Sequence, residues 1–168
     1  LDRFTQPAPA RTDPEAPGEA PTPETVTTAL AASGPAPRVD THDLPGPTGE
    51  SNRLSRFARA PLLCLGPGAE TAARQKTAVE ALGGRAIAAP NLAPQALETL
   101  HGFGGALWWG DADTARACLM ALAARPGPIL PLVTGQPTHA DALVERHLCI
   151  DTTASGGNAE LLAAAGSA

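Results

Sequence analysis

The motif most suggestive of chemistry in this 168-residue sequence is Gly66-Pro-Gly-Ala-Glu-Thr71, which follows an apolar run and opens a helical one. A dinucleotide-binding turn has glycines here so that backbone N–H groups can approach a pyrophosphate. Thr71 occupies the place of the third glycine of that fingerprint, and Glu70 would repel a phosphate from the helix N-terminus. The second apolar run ends in Ala88-Ala89-Pro90, without the acidic residue that would bind a ribose. We therefore predict a tight strand-to-helix turn and no cofactor site in this chain.

Three scattered cysteines could supply a nucleophile or bind a metal. Cys64 falls in a predicted buried strand and Cys118 on a predicted buried helix face, where thiols behave as small inert apolar groups. Cys149 lies two residues from His147 on a predicted strand, but this spacing does not aim a base at the sulfur. Because no two cysteines are close in sequence, we predict reduced thiols and no metal site. Because the sequence shows neither an oriented base nor an oxyanion site for a cysteine, we predict no catalytic residue.

Asp111 and Asp113 follow a third apolar run and could form a metal pair or a phosphate-accepting site. A receiver-type phosphate-accepting site also needs acidic residues after the first strand and a lysine after a later strand. Gly66 and Pro67 follow the first predicted strand, and Lys76, the one lysine, lies within a predicted helix. We therefore expect one of the two aspartates to cap the helix that follows them.

The elements that position these residues alternate between short apolar runs and helical stretches. The runs predicted as strands are 61–65, 85–89, 105–109 and 128–133, and the stretches predicted as helices are 69–82, 94–101 and 111–125. Strands that are apolar throughout are typical of a parallel sheet covered on both faces, with right-handed crossovers. The predicted fold class is therefore α/β, a small Rossmann-like parallel sheet with flanking helices. Pro131 indicates that the fourth run lies at a sheet edge or a strand end.

Two side-chain patterns extend this prediction. Trp108 and Trp109 are neighbours on one predicted strand, so they must face opposite sides of the sheet. The third helix is expected to bury the residues at positions i, i+3, i+4 and i+7, which are Ala115, Cys118, Leu119 and Leu122.

Two further segments, 44–59 and 143–158, lie outside this alternation and have the composition of extended arms. In the second arm, residues alternate with a period of two from Leu148 to Thr153, which is typical of an exposed strand. Such arms can pair with each other, with the sheet edge or with a partner, and the sequence leaves all three open. For residues 152–158 the sequence allows two structures, a flexible tail or a compact glycine turn that docks on another surface.

The first 47 residues contain ten of the 18 prolines and one aromatic residue, Phe4. Such a segment cannot bury enough apolar surface to offset the entropy of ordering it. We therefore predict that residues 1–43 form a disordered Pro/Ala-rich linker. The sequence also begins without methionine, which suggests a fragment of a longer chain.

The charge of the chain narrows the class of partner. The net charge is −5, and the one lysine and 11 arginines form no basic run, so we expect no nucleic-acid partner. No window approaches 18 consecutive apolar residues, and the N-terminus has no secretory pattern. These features predict a cytoplasmic protein without a transmembrane segment.

Three motifs in the chain resemble the C-terminal region of the proline utilization A family. They are Leu44-Pro-Gly-Pro-Thr-Gly-Glu-Ser-Asn52, Leu63-Cys-Leu-Gly-Pro-Gly68 and Val144-Glu-Arg-His-Leu-Cys-Ile-Asp-Thr-Thr-Ala-Ser-Gly-Gly-Asn-Ala159. The family joins proline dehydrogenase to L-glutamate-γ-semialdehyde dehydrogenase in one bacterial flavoenzyme. Its members usually read SVNTAAAGGNASL at the last motif, where this chain has Cys149-Ile-Asp151 for the first three residues and Glu160 for the second serine.

The resemblance implies that residues 44–162 form a degenerate aldehyde-dehydrogenase-type Rossmann domain without activity, followed by a tail over 163–168. It implies packing on the aldehyde dehydrogenase domain of the same polypeptide, where the arms help to cover the tunnel between two active sites. FAD and NAD are implied for the upstream catalytic domains and neither for this chain. The resemblance leaves open that the parent enzyme associates peripherally with the inner membrane. The docking and lid residues that it implies are Pro47, Thr48, Gly49, Glu50, Asn52, Glu145, Arg146, Thr152, Gly156, Gly157 and Asn158. Two alternatives stay open, a free-standing nucleotide-binding Rossmann protein and a plain oligomerisation module.

Overall fold

Residues 20–151 are described by the computed structural model, which divides them into two units. The first unit contains residues 20–36 and 58–143, and the second contains residues 37–57 and 144–151. The helices are α1 Pro23–Ala32, α2 Gly68–Ala81, α3 Ala96–Thr99, α4 Ala112–Ala123 and α5 His139–Ala142. The strands are β1 Arg38–Leu44, β2 Glu50–Ala58, β3 Leu62–Cys64, β4 Ala86–Ala88, β5 Gly105–Leu107, β6 Leu132–Val133 and β7 Leu143–Asp151.

The first unit is built on a four-stranded parallel sheet in the order β4-β3-β5-β6. All four strands lie within the predicted apolar runs, and α3 and α4 lie within the predicted helical stretches. Helix α2 begins one residue before its predicted stretch of 69–82 and otherwise lies within it. These matches confirm the α/β fold class. Strand β6 lies at the sheet edge and begins directly after Pro131. The Pro131 carbonyl still accepts a bond from the Ala106 N–H at 3.0 Å, so only the donor that proline lacks is lost.

Apolar side chains cover this sheet on both faces. Leu63 belongs to one buried cluster and its neighbour Leu62 to a second, as alternation along a strand requires. Trp108 packs in the first cluster and Trp109 against the second, which confirms their predicted opposite orientation. Because full burial of one leucine side chain contributes about 1.5–3 kcal/mol, these two layers hold the unit together.

Helix α4 follows one predicted feature and departs from another. Asp111, one of the two candidate caps, accepts a bond from the Thr114 N–H at 2.8 Å. Cys118 and Leu122 are buried as expected, but Leu119 is 50% exposed, so its predicted burial is wrong. The buried stripe turns toward Ala121, which shares the face of Cys118 at a spacing of three residues. Leu119 therefore lies beside the stripe.

Part of the predicted linker is ordered. Residues 1–19 lie outside the described residues, whereas residues 20–43 contain α1 and most of β1. Pro23 stands at the start of α1, where proline is compatible with a helix, and the Thr22 side chain accepts a bond from the Thr25 N–H. Val26 and Leu30 are buried in the first apolar cluster. The helical i, i+4 spacing of Val26 and Leu30 was not recognised from the sequence, because the prolines of the whole segment indicated a linker.

The second unit is a three-stranded sheet in the order β1-β2-β7. Strands β1 and β2 are antiparallel, with Leu44 opposite Asn52 and a bulge between Arg38 and Asp40. The two predicted arms therefore pair with each other in one sheet through β2 and β7, which is the first of the three alternatives for them. Residues 152–158 lie outside the described residues. Within residues 20–151, the longest helix has 14 residues and none is long and apolar enough to cross a membrane.

Candidate functional site

The glycine turn is a tight strand-to-helix connection between β3 and α2. Gly66 and Gly68 have φ angles of +93° and +73°, in the left-handed region that favours glycine. A Cβ atom on Gly66 would lie 2.6 Å from the Gly68 nitrogen, so the turn requires glycine for its own close approach. The glycines of the motif are therefore explained by backbone geometry alone.

The polar groups of this turn are bound by the chain's own side chains. Gln75 is fully buried; its Oε1 accepts from the Gly66 N–H and its Nε2 donates to the Gly66 carbonyl, both at 2.9 Å. Asn91 Oδ1 accepts from the Gly68 N–H at 3.1 Å. A pyrophosphate would compete with Asn91 for that N–H group. The geometry therefore favours a structural turn, and the sequence analysis missed both Gln75 and Asn91.

The two buried thiols are held in the neutral form. Burial raises the pKa of Cys64 to about 12 and also raises the pKa of Cys118. A nucleophilic cysteine requires the opposite, a thiolate stabilised near neutral pH. The prediction that these two thiols are buried is confirmed.

Cys149 is exposed on β7 and binds β2 through its thiol. Its Sγ donates to Glu50 Oε1 at 2.9 Å, and this hydrogen bond is the main cause that raises the pKa of Cys149 above its ordinary value. The bond links two strands of the second unit. Glu50 therefore acts on Cys149 as a structural acceptor, and the raised pKa disfavours the thiolate that catalysis would need.

Asp111 is engaged in capping. Besides the Thr114 N–H, it accepts the Thr114 hydroxyl at 2.9 Å, and these bonds lower the pKa of its carboxyl. Asp113 lies in the first turn of the same helix. Among the described residues, no group of three or more His, Cys, Asp or Glu side chains could hold a metal ion.

The docking residues implied by the family resemblance fall mainly in the second unit. Those within residues 20–151 are Pro47, Thr48, Gly49, Glu50, Asn52, Glu145 and Arg146, and those outside the described residues are Thr152, Gly156, Gly157 and Asn158. Pro47, Thr48 and Gly49 lie in the turn between β1 and β2, which closes with a bond from the Glu50 N–H to the Pro47 carbonyl at 3.0 Å.

The same turn contains a close approach that the sequence did not reveal. A Cβ atom on Gly46 would lie 2.7 Å from Asn52 Nδ2, so the backbone passes directly over this amide. Asn52 Oδ1 is buried without a hydrogen-bond partner among the described residues. The turn is therefore packed against the side chain of a predicted docking residue.

One face of the three-stranded sheet, which we call the arginine face, centres on Phe57. The guanidinium groups of Arg38 and Arg146 lie over this ring, 5.4 Å and 4.7 Å from its centroid. On the same face of β2, the Ser55 and Thr41 hydroxyls are 3.0 Å apart, and Arg53 shares this face by alternation. Arg53 donates to Asp43 Oδ1 at 3.2 Å.

The opposite face, which we call the acidic face, contains Asp40, Glu50, Arg56, Glu145 and Cys149. Arg56 binds both carboxylate oxygens of Asp40, and the bond from its Nε measures 2.9 Å. This hydrogen bonding lowers the pKa of Asp40 and raises that of Arg56, to which Glu145 also contributes by its charge. The sequence analysis missed Phe57, Asp40 and Arg56. Residues 50–58 show no apolar alternation with a period of two, so the sequence contained no pattern that would have indicated Arg56 or Phe57.

Comparisons with known proteins identify relatives of one kind. No protein-family model matches the chain. The bifunctional protein PutA of Escherichia coli K12 is 30% identical over 143 residues, and that of Salmonella typhimurium LT2 is 32% identical over 143 residues. Each match covers 71% of this chain and 11% of the relative. PutA of Rhizobium meliloti is 33% identical over 151 residues, covering 72% of this chain and 12% of that protein.

Solved structures give matches to proteins of the same name. A crystal structure of bifunctional proline utilization A matches with 24% identity and a TM-score of 0.44, covering 55% of this chain and 13% of that chain. The Bradyrhizobium japonicum protein, as its D778Y mutant, matches with 26% identity and a TM-score of 0.42 over the same shares. The chain thus spans about a ninth of the length of its first curated relatives. Its homologues are bifunctional PutA proteins, to a part of which it corresponds.

Proposed function

We propose that this chain is a non-catalytic module of a bifunctional proline-catabolic enzyme. It packs on the aldehyde dehydrogenase domain of the same polypeptide and helps to seal the tunnel that carries the intermediate between two active sites. The observation that carries the proposal is the three-stranded sheet, in which β1 and most of β7 are exposed. The docking residues within the described part of the chain lie on β2, on β7 and in the turn that precedes β2. The homology to bifunctional PutA proteins supports the enzyme context.

The exposure of β7 supports a docking role. From Glu145 to Asp151 every residue of this strand is exposed, including Leu148 at 53% and Ile150 at 50%. A sheet needs a second layer against its apolar side chains to gain stability from their burial. A neighbouring protein surface would supply that layer.

The glycine turn supports a module without its own cofactor chemistry. Gln75 and Asn91 occupy the backbone groups that a nucleotide-binding turn offers to phosphate. In this proposal FAD and NAD bind to the upstream catalytic domains. The contribution of this chain is to cover a tunnel, exclude water and retain a small reactive intermediate.

Truncation of the parent enzyme tests the proposal. Deletion of residues 146–168 should introduce a lag in the coupled conversion of proline to glutamate, while each half-reaction assayed separately keeps its rate. Deletion of residues 163–168 alone is the matched control and should leave the coupled reaction without a lag. Coupled kinetics that are unchanged in the 146–168 deletion would contradict the lid function.

A further inference from the structure

We propose that the arginine face of the three-stranded sheet is the side that docks, and that its partner is a protein surface with an apolar centre bordered by carboxylates. The inference rests on the proposed function, because it assumes that the sheet is covered by a neighbouring domain. It separates the predicted docking residues: Arg146 contacts the partner, while Glu50 and Glu145 lie on the opposite face.

The contacts of β7 determine which side chains share a face. Arg146 lies over Phe57, so it belongs to the arginine face. Cys149 binds Glu50, so it belongs to the acidic face. Because side chains alternate along a strand, Leu148 and Ile150 lie beside Arg146 on the arginine face.

The two faces differ in charge. The arginine face carries Arg38, Arg53 and Arg146 against one acidic residue, Asp43. The acidic face carries Asp40, Glu50, Glu145 and Asp151 against one arginine, Arg56. An approaching surface therefore meets positive charge on one side of the sheet and negative charge on the other. Carboxylates complement only the arginine face.

The energetics of burial also favour the arginine face. Arg38 and Arg146 are already positioned by the Phe57 ring, and a guanidinium group is weakly hydrated and binds carboxylates through two parallel bonds. Leu148 and Ile150 are about half exposed and would add apolar area at the centre of an interface. Covering the acidic face would instead require removing several carboxylates from water.

The same features favour a protein over other anionic partners. A nucleic-acid surface needs clustered cations along a backbone, whereas this face has three arginines interleaved with aliphatic side chains. The net charge of the chain, −5, repels a polyanion at longer range. A protein surface with an apolar centre bordered by carboxylates matches both components of the face.

A matched pair of variants on adjacent residues tests the proposal in the full-length enzyme. Leu148→Glu places a carboxylate on the arginine face, and His147→Glu places one on the acidic face at a neighbouring position that is also exposed. Hydrogen exchange of the β7 amides, read by mass spectrometry, reports docking. We expect Leu148→Glu to accelerate this exchange about tenfold or more, since a like charge facing the partner carboxylates weakens docking, and His147→Glu to leave the exchange unchanged.

Arg146→Glu is a second variant on the arginine face and should accelerate exchange in the same way, while Arg146→Lys, which keeps the charge, should have a smaller effect. Faster exchange in β3 to β6 would show that a variant has unfolded the module. If this happens with Leu148→Glu or with Arg146→Glu, the other of these two variants tests the proposal. Acceleration by His147→Glu alone, or equal effects on both faces, would overturn the proposal. The proposal would also be overturned if the wild-type enzyme co-sedimented with phosphatidylglycerol vesicles and Arg146→Glu abolished this co-sedimentation.

A failure of this proposal can be distinguished from a failure of the proposed lid function. If the lid function fails, the 146–168 deletion shows no lag, whatever the variants do. If only the choice of face is wrong, that deletion still causes a lag, but His147→Glu and not Leu148→Glu accelerates β7 exchange.

Discussion

The side chain of Gln75 holds both backbone polar groups of Gly66, accepting from its N–H and donating to its carbonyl at 2.9 Å each. This pairing connects the second half of helix α2 to the turn that opens it. For the N–H group it supplies the partner that a buried peptide group requires, whereas the carbonyl also accepts from the Trp109 N–H at 2.9 Å. The turn therefore has the first two glycines of a dinucleotide-binding motif, while the polar groups of Gly66 are hydrogen-bonded within the chain.

Replacement of Gln75 by leucine should destabilise the first unit. The change leaves the Gly66 N–H buried without a partner, whereas the carbonyl keeps its bond from the Trp109 N–H at 2.9 Å. We therefore expect a loss of roughly 1–3 kcal/mol in the free energy of unfolding. Urea denaturation followed by circular dichroism measures this loss. Gln95→Leu, at an exposed position, is the control and should change the stability little. A loss in Gln75→Leu no larger than in the control would contradict the structural role.

Replacement of Arg85 by leucine should loosen helix α1. The Arg85 Nη1 donates to the Ser33 and Gly34 carbonyls at 3.0 and 2.9 Å, beyond the end of the helix, and its Nε donates to the Arg59 carbonyl at 3.1 Å. Loss of these charge-assisted bonds should cost about 1.5–3 kcal/mol. Denaturation and faster proteolysis near residue 33 provide the readouts.

The control for Arg85 is Arg116→Leu, since Arg116 is exposed on α4. It should alter the stability by no more than about 0.5 kcal/mol. Equal stability of the Arg85 and Arg116 variants would show that α1 does not depend on this cation.

Cys149 should react slowly with alkylating reagents despite its exposure. Its bond to Glu50 favours the protonated thiol and raises its pKa. Iodoacetamide modification at pH 8, followed by peptide mass mapping, should be slower than for a free thiol. Glu50→Gln should accelerate it severalfold because the carboxylate charge is removed. The control is Glu98→Gln, on helix α3, and acceleration by both variants alike would contradict the assignment.

The same bond predicts a pH dependence of stability. Because the folded pKa of Cys149 is raised, the contribution is fully present below the pKa of an unfolded thiol and is lost as the pH rises through the folded pKa. The decline of thermal stability on the alkaline side should therefore be smaller in Cys149→Ser than in the wild-type chain. An identical alkaline decline would show that the thiol does not contribute.

Titration of the chain with NAD or NADP should give no saturable binding in the micromolar range. Asn91 and Gln75 already occupy the N–H groups of Gly68 and Gly66. Isothermal calorimetry provides the measurement. Saturable binding would instead support a free-standing nucleotide-binding protein. The remaining alternative, a plain oligomerisation module, is tested by the size of the chain on a size-exclusion column.

The sequence alone determined the parallel sheet of the first unit. Its strands are short apolar runs bounded by Gly and Pro, and its helices lie between them, so each element could be located from neighbouring residues. The period-two pattern from Leu148 to Thr153 likewise predicted a strand, and β7 contains its first four residues. The glycines at 66 and 68 predicted a tight turn because their requirement is local.

The tertiary structure decided the rest, because the decisive partners lie far apart in sequence. Strand β1 is polar along most of its length, and it gains its place from Arg56, whose guanidinium binds Asp40 sixteen residues away. Helix α1 depends on a core formed by residues more than thirty positions later. The two charged faces exist only once β1, β2 and β7 are in register, since a one-residue shift would exchange every side chain between them.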